Sequence, residues 1–165
     1  MNAGDHRRST TCGDLGGNGR PSHSGGLLGE PFTPLTGGCF CGRVRYRIDA
    51  PLGKGRSCHC SRCRKAFSGA GSAYAEVAAG SFSWLSGEEN VSRYESAPGW
   101  GLAFCGSCGT TLCGTHDGEV HGVTLGSVDG DPGVEIEMHI FVASKAPWDH
   151  IGGLAPQFAE FPLPP

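Results

Sequence analysis

Residues 37–48 have the sequence GGCFCGRVRYRI, in which a Cys-x-Cys pair stands directly before an alternation of apolar and basic residues. Val44, Tyr46 and Ile48 occupy every second position, which predicts a half-buried β-strand over 43–48 with one arginine-lined face. Two closely spaced thiols are a candidate metal-binding turn. This stretch therefore predicts a β-rich fold with a cysteine site at the start of its first strand.

The same period of two recurs along the rest of the chain. Turn signals such as Asp117-Gly118 and Asp129-Gly130 separate short apolar runs. The further predicted strands are 72–77, 82–85, 91–94, 101–105, 111–115, 120–125 and 135–142. One short helical turn is predicted near 60–67. The pattern predicts a small all-β domain built from antiparallel hairpins.

Composition supports a single thin-cored domain. The chain has 165 residues, with 29 glycines, 11 prolines and only 38% hydrophobic residues. No apolar run approaches the ~20 residues that a membrane-spanning helix needs. Glycine weakens a helix interior by about 1 kcal/mol per residue, which argues against a helical bundle. Such a core is expected to need additional cross-links.

Residues 1–35 are rich in glycine, serine and threonine and show neither a helical nor a strand period. They are predicted to form a flexible leader before a zinc-binding β domain over 36–165. The N-terminus has no apolar stretch that would act as a secretory signal, so a cytoplasmic location is expected. Thiols stay reduced in that compartment, and clustered cysteines there favour metal binding over disulfides.

Seven of the nine cysteines fall into three groups. The groups are Cys39 and Cys41; Cys58, Cys60 and Cys63; and Cys105 and Cys108. A closed structural zinc site takes four ligands, whereas a catalytic site takes three and leaves one position open. Seven thiols divide naturally into four and three, which predicts two zinc ions per chain.

The preferred division joins the first and third groups around one ion, because this connects two strands that are distant in the sequence. The three-thiol loop then holds a second ion alone. A rival division pairs Cys39 and Cys41 with Cys58 and Cys60, and leaves Cys63 free. A second alternative is that a histidine completes a structural site on the loop. The available histidines are His59, His116, His121, His139 and His150.

Charge is distributed unevenly. The formal net charge is −3, yet the segment from Arg43 to Lys65 holds eight basic residues against one acid, Asp49. The overall charge and the lack of interleaved aromatic residues argue against a nucleic-acid partner.

Four stretches of the sequence resemble the glutathione-dependent formaldehyde-activating enzyme family, which shares its domain with centromere protein V. They are GGCFCGRVRY at 37–46, CHCSRCRK at 58–65, FCGSCGT at 104–110 and HIFVASKAPW at 139–148, the last followed by Pro156-Gln157-Phe158. The resemblance covers about residues 36–162.

This resemblance implies a zinc-stapled β-tent fold of the Mss4-like type. It implies a structural zinc on Cys39, Cys41, Cys105 and Cys108, and an exchangeable, catalytic zinc on Cys58, Cys60 and Cys63. The implied activity is that of an S-(hydroxymethyl)glutathione synthase, a carbon–sulfur lyase whose partners are glutathione or a related small thiol and a small aldehyde.

Arg64 and Lys65 are the candidate anchors for the carboxylates of glutathione, since they follow the three-thiol loop directly. The alternative function is a noncatalytic zinc-stapled module that binds protein or nucleic acid. Another thiol or another small electrophile on the same scaffold is a third possibility.

Overall fold

The computed structural model describes residues 32–162, which form ten strands and one short helix. Most of the predicted leader and Cys12 lie outside the described residues. The strands are β1 (Leu35–Gly38), β2 (Arg45–Ile48), β3 (Gly55–Cys58), β4 (Ser72–Glu76), β5 (Phe82–Ser86), β6 (Val91–Ala97), β7 (Trp100–Cys105), β8 (Thr111–His116), β9 (Glu119–Thr124) and β10 (Ile136–Ile140). The helix is α1 (Ser61–Ala66). Short 3-10 turns lie at Glu88–Asn90, Leu125–Ser127 and Val142–Ser144.

The strands form two sheets. A three-stranded sheet has the order β1-β2-β5, and a seven-stranded sheet has the order β10-β3-β4-β9-β8-β7-β6. All paired neighbours are antiparallel except β10 and β3, which run parallel. The predicted all-β, antiparallel class is confirmed, with this one parallel pair as an addition.

Eight predicted strands and the helical turn appear within a few residues of their expected bounds. The alternation that defined the first of them is also confirmed, since Tyr46 and Ile48 of β2 and Val44, directly before β2, are fully buried. They join a core with Leu112 and Val123 from the larger sheet. The core therefore lies where the smaller sheet packs on the larger one.

Glycine permits two close approaches of the backbone, one to the Tyr46 ring of this core and one to the residue before β10. A side chain at Gly37 in β1 would lie 2.3 Å from the Tyr46 ring, and one at Gly55 in β3 would lie 2.4 Å from the Glu135 carbonyl oxygen. Both strands were absent from the sequence prediction, because glycine-rich segments show no apolar alternation.

Among residues 32–162, no helix has the length and apolar character that crossing a membrane would require.

Candidate metal centres

The first cysteine centre is built from two turns that belong to different sheets. One turn joins β1 to β2 and carries Cys39 and Cys41, and the other joins β7 to β8 and carries Cys105 and Cys108. In each, a glycine N–H closes the turn: Gly42 donates to Cys39 at 3.0 Å, and Gly109 donates to Cys105 at 2.8 Å.

Both glycines adopt the left-handed backbone conformation, with φ of +75° at Gly42 and +74° at Gly109. An L-residue with a side chain adopts this conformation only at a cost of roughly 1–2 kcal/mol. Each Cys-containing turn thus depends on a glycine immediately after its second thiol.

The four thiol groups lie close enough to share one ion. Their Sγ atoms are all within 4.8 Å of one another. The Cys39–Cys41 sulfur distance is 3.5 Å and the Cys41–Cys105 distance is 3.8 Å. Four thiolates placed tetrahedrally around Zn²⁺ at ~2.3 Å would be about 3.8 Å apart. The donor set and its spacing therefore fit a zinc ion.

Two further contacts hold the turns against each other. The Phe40 N–H donates to the Thr110 hydroxyl at 3.1 Å, and Arg43 donates to the Ser107 hydroxyl at 2.9 Å. Cys105 is fully buried and Cys39 nearly so, whereas Cys41 is exposed. The centre thus lies at the edge of the core and connects the two sheets.

Hydrogen bonding already favours a thiolate in this centre. The hydroxyl and backbone of Thr110 hydrogen-bond to Cys108 and lower the pKa of its thiol to about 5. Thiolate is the form that ligates metal. Thr110 thus favours the ligating form of the Cys108 sulfur.

The second centre is local in the sequence. Cys58 ends β3, Cys60 precedes α1, and Cys63 lies within α1. The Cys60 sulfur caps the helix by accepting the Cys63 N–H at 3.4 Å. This cap turns the chain so that all three Sγ atoms come within 4.8 Å of one another.

The pKa values of two thiols in this centre shift in opposite directions. A hydrogen bond from Cys58, with smaller contributions from Ser72 and Cys60, lowers the pKa of Cys63 to about 6 against the effect of burial. The same hydrogen bond, together with burial, raises the pKa of Cys58. Thiolate is the form of cysteine that ligates metal, and thiolate sulfur suits soft metals such as zinc.

Within residues 32–162, the group of potential ligands around these three thiols contains no histidine. The two thiol groups also correspond to the preferred division of four and three, and Cys63 lies with Cys58 and Cys60 rather than apart. The three-thiol group thus supplies one donor fewer than a closed tetrahedral site requires.

A cleft of about 490 Å³ opens beside the first centre. Its lining includes Cys108 of the first centre and Ser72, which pairs with Cys58 across β3 and β4. The end of α1 forms another wall. Apart from the Cys108 thiol, the polar side chains of the lining are all hydroxyls: Ser68, Ser72, Thr110, Thr111, Thr124 and Ser127. Sequence reasoning missed these residues, because they come from five separate segments and no local pattern connects them.

The predicted anchor residues lie on α1 next to this cleft. Lys65 is exposed and has no ion-pair partner among residues 32–162. Arg64 is half-buried and donates to the Ser144 carbonyl at 3.1 Å. Arg64 is thus tied to the segment after β10, while the Lys65 ammonium is available.

The basic face of β2 is partly neutralised. Arg45 forms an ion pair with Asp129, and Arg47 forms one with Asp49 at 2.6 Å.

The remaining cysteine of the described chain, Cys113, is fully buried in β8, and burial raises its pKa to about 12. It therefore behaves as a packing residue.

Comparisons with known proteins give a family match and a similar solved structure. A family model described as glutathione-dependent formaldehyde-activating enzyme matches residues 34–144, a span that contains both thiol groups. A crystal structure of a Rhodobacter sphaeroides protein is 25% identical; the alignment covers 74% of this chain and 98% of that chain, with a TM-score of 0.49. No curated protein matches the chain at a significant level.

Proposed function

The chain belongs to the glutathione-dependent formaldehyde-activating enzyme family, and on that premise we propose that it is a zinc-dependent enzyme acting on a small thiol adduct. The proposed reaction is of the S-(hydroxymethyl)glutathione synthase type, in which a carbon–sulfur bond forms or breaks. Glutathione or a related thiol and a small aldehyde are the proposed substrates.

The observation that carries this proposal is the three-thiol group of Cys58, Cys60 and Cys63, whose potential ligands within residues 32–162 include no histidine. We propose that these residues hold the exchangeable ion, and that Cys39, Cys41, Cys105 and Cys108 hold a structural one. Zinc with an open position lowers the pKa of a bound thiol and polarises a carbonyl oxygen.

The cleft supplies the surface on which a substrate would be held. Its hydroxyl groups can donate to and accept from peptide groups, and glutathione is a short peptide with two amide bonds. Ser72 lies in the cleft wall and also contributes to the hydrogen bonding of Cys63. A peptide bound in the cleft would therefore lie next to the three-thiol group.

Charge explains the proposed role of α1. Three thiolates around a divalent cation have a net charge of −1, and glutathione carries two carboxylates, so the bound state needs positive charge nearby. Arg64 and Lys65 lie in the last turn of the helix, whose final residue lines the cleft. We propose that they bind the carboxylates of glutathione.

The proposed step balances without an oxidant or reductant. The thiol adds across the carbonyl of formaldehyde, so that a C–S bond forms, the C=O bond becomes a C–O single bond and the thiol proton ends on oxygen. The chain's contribution is to hold the two reactants together, which replaces a bimolecular encounter.

Calorimetry on zinc-loaded protein tests the binding part of this proposal. Glutathione should bind with micromolar to millimolar affinity, whereas 2-mercaptoethanol, which lacks the peptide and the carboxylates, should bind far more weakly. Exchange spectroscopy by NMR should show faster interconversion of formaldehyde and its glutathione adduct with enzyme than without it. Absence of heat at millimolar glutathione, on folded protein with both metals bound, would refute the proposal.

A further inference from the structure

His59 lies between Cys58 and Cys60 in the sequence but is not among the potential ligands grouped with them. The residue is 5% exposed, and its Nε2 lies 3.0 Å from Nδ1 of His139 in β10 and 3.3 Å from the Ser57 hydroxyl. The ring thus packs into the parallel junction of β3 and β10.

The other ring nitrogen of His59 faces a carboxylate. Its Nδ1 is buried without a hydrogen-bond partner and lies 3.5 Å from Oδ2 of Asp149. Asp149 is itself held in place, because its N–H donates to Ala146 at 3.1 Å and its carbonyl accepts from the Lys145 ammonium at 2.9 Å. A proton on Nδ1 would face this carboxylate and leave Nε2 to accept from Ser57 or His139.

The backbone of His59 is also held by hydrogen bonding. The His59 N–H donates to the Ile140 carbonyl at 3.0 Å, and Cys58 pairs with Ile140 in β10 and with Ser72 in β4. Cys60 then begins the turn into α1. The tripeptide 58–60 is therefore fixed to β10 through both backbone and ring.

We infer that His59 is a positioning residue for the three-thiol centre: with Asp149 and His139 it fixes the turn so that the flanking thiols keep the spacing an ion requires. This inference rests on the proposed function, which assigns the second metal to these thiols. Side chains that support metal ligands in this way typically change metal affinity by 10–100-fold when removed. Loss of the ring would let the two thiols separate before binding, so the ion would have to reorder them.

The test uses zinc-loaded protein and a chromophoric chelator that competes for each metal equivalent. His59→Ala should release the weaker-bound equivalent at about 10–100-fold lower chelator concentration, with the tighter equivalent unchanged. His59→Asn, which keeps an N–H donor toward Asp149, should recover part of the affinity. His116→Ala, an exposed histidine of β8, is the matched control and should behave as wild type.

Cobalt substitution gives an absorption spectrum that reports the geometry of each metal site and does not change with a general loss of stability. The absorption bands of the weaker-bound Co²⁺ should shift in His59→Ala, while the bands of the tighter-bound ion stay in place. Unchanged bands and a release within twofold of wild type would overturn the inference.

If His59→Ala does not fold, Asp149→Asn decides the question, because it changes a carboxylate of low exposure without removing volume. A several-fold weaker second equivalent supports the inference, and an unchanged one overturns it. A wild type that binds a single metal equivalent would refute the proposed function itself. Two equivalents in wild type, with no effect of either variant, would refute only the role of His59.

Discussion

The four-thiol and three-thiol groups have the same kind of ligand, but the first joins distant parts of the sequence and the second is local. The first joins turns whose closest thiols are 64 residues apart, and the second occupies one turn and the start of a helix. Cross-linking a loop of this length lowers the conformational entropy of the unfolded chain, which adds roughly 4 kcal/mol to the free energy of unfolding. A six-residue loop adds roughly 2 kcal/mol. The first centre is therefore expected to stabilise the fold, and the second is free to release its ion.

The largest expected effect follows from breaking the long-range centre. Cys105→Ser should leave the domain largely unfolded, because structural zinc binding carries folding free energy of order 10 kcal/mol and whole domains are stable by about 5–15 kcal/mol. Circular dichroism and a thermal melt measure this. Cys113→Ala is the control, since it removes a buried thiol outside both groups and should cost only about 1–3 kcal/mol. A cooperative melt of Cys105→Ser near the wild-type temperature would contradict the structural role.

The matching change in the local centre should leave the fold intact. Cys60→Ser removes a proposed ligand, but serine is a favourable residue at the helix N-cap that Cys60 occupies. The variant should melt within a few degrees of wild type, contain one zinc per chain instead of two and lose the proposed exchange activity. Metal quantification with the melt measures both. If Cys60→Ser and Cys105→Ser unfold equally, the distinction between the centres is wrong.

The sequence predicted most strands because their physical cause is local. Alternating apolar residues in β2 reveal which face is buried, and a turn signal such as Asp117-Gly118 marks the hairpin of β8 and β9. Apolar alternation did not predict β1 and β3, because Gly37 and Gly55 are required there for close backbone approach and contribute no apolar side chain.

The candidate site also has a part that local sequence predicts and a part that depends on long-range contacts. Short cysteine spacings predicted three groups of thiols, and the structure brings them together as four and three. The contact of His59 with His139 depends on the parallel pairing of β3 with β10, which joins residues 80 positions apart. The hydroxyl-lined cleft likewise needs strands that are separated in sequence. No local pattern carries such long-range information.

A smaller effect is expected from the charge beside the local centre. Lys65→Ala should weaken glutathione binding about threefold to fivefold, because an exposed ion pair contributes up to ~1 kcal/mol. Zinc content should stay at two per chain, and the loss should shrink at high salt as screening increases. Lys54→Ala, exposed before β3, is the matched control for calorimetry. Equal losses in the two variants would mean that Lys65 acts only through net charge.

The smallest effect returns to the turns of the long-range centre. Gly109→Ala places a side chain at φ +74° with no atom within 4 Å of its Cβ, so the cost is backbone strain alone, roughly 1 kcal/mol. The melting temperature should fall by about 3–5 °C while both metals stay bound. Gly152→Ala is the control, since its Cβ also meets open space and its φ is not left-handed. Between Cys58 and Cys63 no residue has a positive φ, so the local centre depends on a helix cap where the long-range centre depends on glycine. A Gly109→Ala melt equal to that of Gly152→Ala would show that the left-handed glycine is not what closes the turn.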